Sequence, residues 1–170
     1  MAARIKCDST DAWASRRTPN NQACPKKLFG LRILLAEDLP DNQLLITRLL
    51  QASGAVVDVV ENGLAAIEQA ARQAYDLVLM DLQMPMLDGF GATIELRRHG
   101  FRMPIVVLTA HALREERDKC FAAGCDDHLT KPVNPQMLVR TVAYFTAKSS
   151  VDKATVRPGA GVMDAGPPAT

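Results

Sequence analysis

Short apolar runs alternate with amphipathic stretches along the middle of the chain, and this alternation constrains the fold more than any other feature. The runs are Ile33–Ala36, Ala55–Val60, Leu77–Met80, Ile105–Leu108 and the weaker Asp127–Thr130. Four of them are nearly continuous and rich in leucine or β-branched residues, as expected for strands that are buried on both faces. Because a helical pattern follows each run, the sequence predicts an α/β fold with a mostly parallel sheet and right-handed crossovers.

The helical patterns begin and end at recognisable signals. The first follows Pro40–Asp41, and the last follows Asn134–Pro135, where proline suits the first helical turn. Two others follow Asn62–Gly63 and Asp88–Gly89, and the fourth ends near Gly124, a suitable C-cap. We therefore expect five strands, each followed by a helix.

The charges and the composition divide the chain into three parts. Residues 1–30 carry a net charge of +4, residues 31–146 carry 15 acidic and 11 basic side chains, and residues 147–170 are rich in proline, glycine and alanine. Neither end has enough apolar positions to offset the entropy lost on ordering. We expect a compact acidic domain at 31–146 between a flexible leader at 1–30 and a flexible tail at 147–170.

The overall composition argues against several functional classes. Twenty basic and 19 acidic side chains give a net charge of +1, so no global charge excess points to nucleic acid or an anionic membrane. No apolar run approaches the roughly 20 residues of a membrane span, and the first residues lack a signal-peptide core. The four cysteines form no CxxC pair. We expect a reduced, cytoplasmic domain, whose parent protein could itself be membrane-anchored.

The residues that follow the predicted strands carry the chemistry. Ligands of parallel α/β sheets bind beside the carboxyl ends of the strands, where this chain has Glu37–Asp38, Asp81, Thr109 and Lys131–Pro132. Carboxylates at about 4 Å repel one another by about 4 kcal/mol per pair at an effective dielectric constant of ~20, so a cation must compensate. Oxygen ligands without histidine or cysteine suit Mg²⁺, and lysine and threonine suit a phosphoryl group.

Asp81 is the predicted nucleophile because it ends the central apolar strand, which fixes its position. Attack by its carboxylate would form an acyl phosphate, with positioning and metal neutralisation supplying most of the catalysis. Asp38 and Asp81 are the predicted metal ligands, and the backbone carbonyl of Gln83 is the third. Glu37 is expected to act through water or as an orienting residue.

Four motifs in register resemble the receiver domain of two-component response regulators, and more closely the receivers of hybrid sensor histidine kinases. They are ILLAEDLPDNQ (33–43), LMDLQMPMLDG (79–89), LTAHA (108–112) and DDHLTKPV (126–133). Asn42 and the form MDLQMP favour the hybrid-kinase or phosphorelay group. The resemblance implies a flavodoxin-like, doubly wound sheet of five parallel strands in the order 2-1-3-4-5, flanked by five helices.

The resemblance also implies a phosphoryl switch that needs Mg²⁺ and is charged by a phosphohistidine of a histidine kinase or a histidine phosphotransfer protein. Asp81 would accept the phosphoryl group, Lys131 would contact it and Thr109 would swing toward it. A partner would bind the face formed by the fourth helix, fifth strand and fifth helix. The domain would turn over only its own phosphate, whereas the parent chain could be a histidine kinase. Homodimer formation stays open, and no direct contact with nucleic acid or membrane is expected.

Further residues are expected to modulate this switch. His128 occupies the position three residues before the lysine, where the family usually has an aromatic side chain. Gln83 and His111 would flank the path of an attacking water and tune dephosphorylation. Pro132 follows the lysine, to which a cis bond often joins it in the family.

Alternative functions stay open at this point. A stand-alone single-domain response regulator would share every motif. A haloacid-dehalogenase-like phosphatase also uses a strand-end aspartate, but it needs an acidic residue two positions later, where this chain has Gln83. A flavodoxin-like cofactor binder needs a phosphate-cradling loop after the first strand, whereas this loop is acidic. A pseudo-receiver scaffold is disfavoured because the acidic, threonine and lysine positions are all intact.

Overall fold

The computed structural model describes the backbone of residues 28–110 and 114–155 and the side chains of residues 28–110 and 116–148. Strands and helices alternate throughout these residues. The strands are β1 (Arg32–Ala36), β2 (Val56–Val60), β3 (Leu77–Asp81), β4 (Ile105–Thr109) and β5 (Asp127–Thr130). The helices are α1 (Pro40–Ala52), α2 (Gly63–Arg72), α3 (Gly89–Arg98), α4 (Arg114–Ala123) and α5 (Pro135–Thr155). The predicted alternation is confirmed.

The five strands form one parallel sheet in the order β2-β1-β3-β4-β5, as predicted. Strands β3 and β4 are buried along their whole length, whereas the edge strand β2 is partly exposed. The order of the strands reverses between β1 and β3, and in such sheets the carboxyl ends at the reversal border the ligand-binding crevice. The ends of β1 and β3 are therefore the place to look for a site.

The two faces of the sheet bury two separate apolar clusters. Ile33 and Leu35 of β1 belong to the cluster that includes residues of α1 and α5. Leu34 and Ala36, the alternate residues of the same strand, belong to the cluster that includes residues of α2, α3 and α4. The nearly continuous apolar runs in the sequence are thus explained, because each strand packs against helices on both sides.

Side chains and turns fix the ends of the helices and hence the loops between them. Asn62 and Asp88 cap α2 and α3, accepting hydrogen bonds from Ala65 N at 2.9 Å and Gly91 N at 2.7 Å. After α4, Gly124 adopts a φ of +99°, and the amide of Cys125 donates to the carbonyl of Cys120. This 6→1 bond is the Schellman arrangement that favours glycine, so the expected C-cap is present.

The folded part of the chain differs from the expected boundaries at both ends. Leu28 lies in the expected leader, but its side chain is fully buried, and its amide donates to the carbonyl of Ser53. Helix α5 continues to Thr155, beyond residue 146, because residues 147–155 contain no glycine or proline that would end it. The earlier leader residues and the end of the tail lie outside the described residues. Among the described helices, none is long and apolar enough to cross a lipid bilayer.

Candidate functional site

Three carboxylates meet at the carboxyl end of the sheet. Glu37 and Asp38 directly follow β1, and Asp81 ends the neighbouring strand β3. Each offers a carboxylate oxygen, and these oxygens lie within 4.8 Å of one another. Glu37 and Asp81 are buried, whereas Asp38 is partly exposed. We call these three residues the acidic cluster; the structure brings them together as the sequence predicted.

Lys131 lies against this cluster. Its Nζ atom is 2.7 Å from Glu37 Oε2 and 2.7 Å from Asp81 Oδ2. Burial alone lowers the pKa of Lys131, but the hydrogen bonds and negative charges of Asp81 and Glu37 outweigh this effect and raise the pKa above its ordinary value. The side chain is therefore a fixed positive charge at neutral pH.

The charge of Lys131 does not balance the acidic cluster. In their ionised form the three carboxylates carry three negative charges, of which the ammonium group compensates one. All the donors are hard oxygen atoms, and such a set suits Mg²⁺, which prefers one or two carboxylates together with water and phosphate oxygens. The residues present therefore fit the metal that the sequence predicts.

Two amide side chains in the first turn of α1 hold Glu37. Asn42 Nδ2 donates to Glu37 Oε1 at 2.8 Å, and Gln43 Nε2 donates to the Glu37 backbone carbonyl at 2.7 Å. Because Lys131 lies against the other carboxylate oxygen, both oxygens of Glu37 already have protein partners. This arrangement favours an orienting role for Glu37. In the sequence, Asn42 stands out only as a family marker and Gln43 does not stand out, although paired amides directly after an acidic loop are an available signal.

The loop between β3 and α3 closes tightly around Asp81. The backbone amide of Gln83 donates to Asp81 Oδ1 at 3.3 Å, while the Gln83 side chain is exposed. A Cβ atom at Gly89 would collide with the Asp81 carbonyl oxygen, so glycine is required where α3 begins against the end of β3. Met86 has a φ of +67°, the left-handed region that non-glycine residues rarely adopt, and its side chain is 79% exposed. The local backbone thus fixes Asp81, and the same loop exposes the apolar side chain of Met86 to solvent.

The hydroxyl group of Thr109 is engaged elsewhere. Thr109 ends β4 and is buried, and its Oγ1 donates to Glu116 Oε2 on α4 at 2.9 Å. The sequence does not predict the role of Glu116, because the direction of a threonine hydroxyl depends on how α4 packs and local spacing does not reveal it.

The remaining predicted residues are placed as follows. His128 pairs with Val107 in the sheet, its side chain is 13% exposed, and its Nδ1 atom lies 3.8 Å from Asp127 Oδ1. A cis peptide bond joins Lys131 to Pro132. His111 lies outside the described residues.

Comparison with known proteins assigns the family. Residues 33–143 match the family model of the response regulator receiver domain. The sensor histidine kinase GacS of Pseudomonas protegens is 40% identical over 140 residues, which cover 77% of this chain and 15% of the kinase. The sensor protein GacS of Pseudomonas syringae is 43% identical over 120 residues, covering 68% of this chain and 13% of that protein. The chain therefore spans only a small part of these curated relatives.

Solved structures agree with this assignment. The receiver domain of a sensor histidine kinase from Pseudomonas aeruginosa, crystallised with a magnesium ion in its active-site cleft, is 42% identical with a TM-score of 0.65. The match covers 69% of this chain and 98% of that one. A receiver domain from Saccharomyces cerevisiae, crystallised with a histidine phosphotransfer protein, is 27% identical with a TM-score of 0.67, covering 75% of this chain and 94% of that one. The chain belongs to the response regulator receiver domain family.

Proposed function

We propose that Asp81 accepts a phosphoryl group in a phosphorelay and that its phosphorylation switches the contacts of this receiver domain with a partner. The observation that carries this proposal is the setting of the Asp81 carboxylate. It is buried at the end of a central strand, with Lys131 Nζ 2.7 Å from one oxygen and the Gln83 amide on the other. A carboxylate held in this way is oriented before the phosphoryl donor arrives.

The proposed reaction is a displacement at phosphorus. An oxygen of Asp81 forms a bond to the phosphorus atom of a phosphohistidine, the P–N bond breaks, and its electron pair stays on the imidazole, which takes a proton from solvent. Lys131, already next to Asp81, neutralises part of the charge on the transferred group. The hydroxyl group of Thr109 then donates a hydrogen bond to a phosphoryl oxygen, and this bond stabilises the switched conformation.

Asp38, Asp81 and the backbone carbonyl of Gln83 are the proposed Mg²⁺ ligands, with Glu37 acting through water. The metal would offset the negative charge that Lys131 leaves uncompensated and would orient the phosphoryl oxygens. Three observations support this assignment: the close approach of the carboxylate oxygens, the bonds that already occupy Glu37, and the magnesium ion in the related Pseudomonas aeruginosa domain.

The proposed phosphoryl donor is a histidine kinase or a histidine phosphotransfer protein, and the proposed parent is a hybrid sensor histidine kinase. The curated relatives support the parent, and the yeast complex supports the donor. We propose a cytoplasmic location, since the described cysteines, Cys120 and Cys125, are buried free thiols, which suits a reducing compartment. The net charge of −4 at residues 31–146 gives no reason to propose nucleic acid as a partner.

We propose that three side chains, those of Gln83, His111 and His128, determine how long Asp81 stays phosphorylated. The Gln83 side chain is exposed while its amide contacts Asp81, so it can meet an approaching water. His111 and His128 keep the modulating roles inferred from the family motif. The phosphatase alternative gains no support, because Gln83 cannot act as the acid that such enzymes place two residues after the nucleophile.

Intact-mass spectrometry after incubation with acetyl phosphate and Mg²⁺ tests the proposal. We expect the unmodified chain to gain the mass of one phosphoryl group, and chelation of the metal to prevent the gain. Asp81→Asn should gain nothing. Asp88→Asn is the matched control, because Asp88 lies in the same loop, is exposed and can be replaced by asparagine as a helix cap. Equal labelling of Asp81→Asn and the unmodified chain would refute the assignment.

A further inference from the structure

In this conformation the hydroxyl group of Thr109 already donates a hydrogen bond to a side chain of α4. Thr109 Oγ1 donates to Glu116 Oε2 at 2.9 Å, and Thr109 is 3% exposed. A hydroxyl group has a single proton to donate. It therefore cannot donate to Glu116 and to a phosphoryl oxygen on Asp81 at the same time.

Hydrogen bonds within the sheet hold the backbone of Thr109 in place. Its carbonyl oxygen accepts a hydrogen bond of 2.7 Å from the amide of Lys131, and Thr109 pairs with Thr130 in the sheet. The end of β4 is thus tied to the end of β5 next to the acidic cluster. A change of partner for Thr109 must come from rotation of its side chain, from a shift of α4, or from both.

We propose that Glu116 is a positioning residue, which stabilises the unphosphorylated conformation by accepting a hydrogen bond from the hydroxyl group of Thr109. This inference rests on the proposed function, in which Thr109 turns to the phosphoryl group on Asp81. The Thr109–Glu116 bond must break before Thr109 can contact the phosphoryl group. The strength of this bond therefore reduces the net free energy that Thr109 gains from the phosphoryl contact. Glu116 also links the state of Asp81 to α4, because the Thr109–Glu116 bond joins the end of β4 to that helix.

The chemistry of the acceptor makes this contact strong enough to matter. A hydrogen bond to an ionised carboxylate is stronger than one between neutral groups. An interaction that exists in only one of two conformations shifts their equilibrium by its full free energy. Removing the acceptor should therefore favour the conformation that binds the phosphoryl group.

Binding of beryllofluoride, in the presence of Mg²⁺, measured by calorimetry on the full chain, tests the inference. We expect Glu116→Ala to tighten binding about five- to tenfold. Glu116→Gln retains the shape and a neutral acceptor, so it should tighten binding only about two- to threefold. Asp118→Ala, which removes an exposed negative charge from the same helix, is the matched control and should bind as the unmodified chain does.

Combination with Thr109→Ala separates positioning from a general effect on α4. If Glu116 acts through the threonine, Glu116→Ala should change nothing in the Thr109→Ala background. Equal tightening in both backgrounds, or no tightening in either, would overturn the inference. Failure of the unmodified chain to bind beryllofluoride would instead overturn the proposed function itself.

Discussion

A basic side chain lies among oxygen atoms at each end of the sheet, but the balance of charge around it differs between the two ends. At the carboxyl end, Lys131 is shared by two buried carboxylates, and a third lies within the same cluster. At the amino end, Arg97 joins the end of α3 to the segments that enter β4 and β5. Its guanidinium group donates to the carbonyls of Gly124, Phe101 and Met103 at 2.9–3.0 Å and to Asp126 Oδ2 at 2.8 Å.

The difference supports the proposal that the cluster at the carboxyl end is functional, whereas the one around Arg97 is structural. Around Arg97, the guanidinium charge faces one carboxylate and several neutral carbonyls, and Asp126 also accepts from the amide of Ile105 at 2.9 Å. Charge and hydrogen bonds are thus balanced without a ligand. The acidic cluster carries more negative charge than Lys131 can offset, which costs folding free energy unless a cation binds. An incomplete cluster at a rigid position is typical of a binding site.

Removal of Arg97 should have the largest effect on stability. Arg97→Ala removes the guanidinium donor from three carbonyl groups and from Asp126, which keeps only the amide of Ile105, so we expect a loss of about 2–4 kcal/mol in the free energy of unfolding. Urea denaturation measures this loss, and labelling by acetyl phosphate should persist wherever the variant is folded.

Arg98→Ala is the matched control for that variant. Arg98 is the next residue of α3, its side chain is 74% exposed, and it contacts Glu95 at 3.1 Å on the surface. Such exposed pairs contribute about 0.5 kcal/mol or less, so this variant should remain close to the unmodified chain. Similar losses for the two variants would remove the basis for calling the amino-end cluster structural.

Removal of the Asn42 side chain should weaken Mg²⁺ binding at the carboxyl end of the sheet without unfolding the domain. Asn42→Ala frees one oxygen of Glu37, so the carboxylate can turn away from the geometry in which Lys131 and the metal share the cluster. Residues that orient a metal site in this indirect way contribute about 10-fold or more to affinity. Calorimetric titration with Mg²⁺ measures the change. Gln51→Ala, at an exposed position of the same helix, should bind Mg²⁺ normally.

Asp81→Asn should change stability in the opposite direction to Arg97→Ala. Loss of one negative charge removes two repulsions from the acidic cluster at the cost of one attraction, that of Asp81 to Lys131, which keeps Glu37 as a partner. Without metal we expect the variant to be more stable by about 1 kcal/mol, and Mg²⁺ should stabilise it less than it stabilises the unmodified chain. Thermal unfolding with and without Mg²⁺ is the measurement. A large loss of stability would show that the cluster is balanced as it stands.

The smallest expected effect concerns a buried thiol that precedes β5 at the amino end. Burial raises the pKa of Cys125, and the neighbouring Cys120 thiol and the carboxylates of Asp126 and Asp127 act in the same direction. The native state then keeps a proton that the unfolded chain loses near its ordinary pKa of about 8.5, so stability falls as the pH rises through that value. Between about pH 7 and 8.5 this difference contributes about 0.4 kcal/mol.

Cys125→Ala should remove that contribution. The comparison is between the pH dependence of unfolding in the two proteins, because the loss of side-chain volume lowers stability equally at each pH. Identical pH profiles would mean that the thiol titrates in the native state much as it does in the unfolded chain.

Sequence patterns predicted those parts of the molecule that depend on the backbone. Buried strands need continuous apolar runs, and strand ends of a parallel sheet lie together, so the alternation of elements and the meeting of Glu37, Asp38, Asp81 and Lys131 followed from spacing. The strand order came from the family resemblance, since periodicity alone does not fix which strands are neighbours.

The parts that were missed depend on side-chain direction or on carbonyl acceptors. The partner of Thr109 is set by how α4 packs, and Glu116 is one of several charged residues on that helix. Arg97 reaches carbonyl groups, which every residue carries and which therefore give no sequence signal. The pattern places Leu28 in the leader because two neighbouring apolar residues, Leu28 and Phe29, show no periodicity, yet Leu28 is fully buried.

Backbone amide NMR spectra recorded during titration with beryllofluoride and Mg²⁺ test most directly whether Asp81 accepts the phosphoryl group. We expect the amides of Gln83, Thr109 and Lys131 to shift, whereas those of Arg97 and Phe101 at the opposite end should stay in place. Asp81→Asn should show no beryllofluoride-dependent shifts. Equal shifts in that variant, or shifts confined to the amino end, would contradict the assignment of Asp81 as the phosphoryl acceptor.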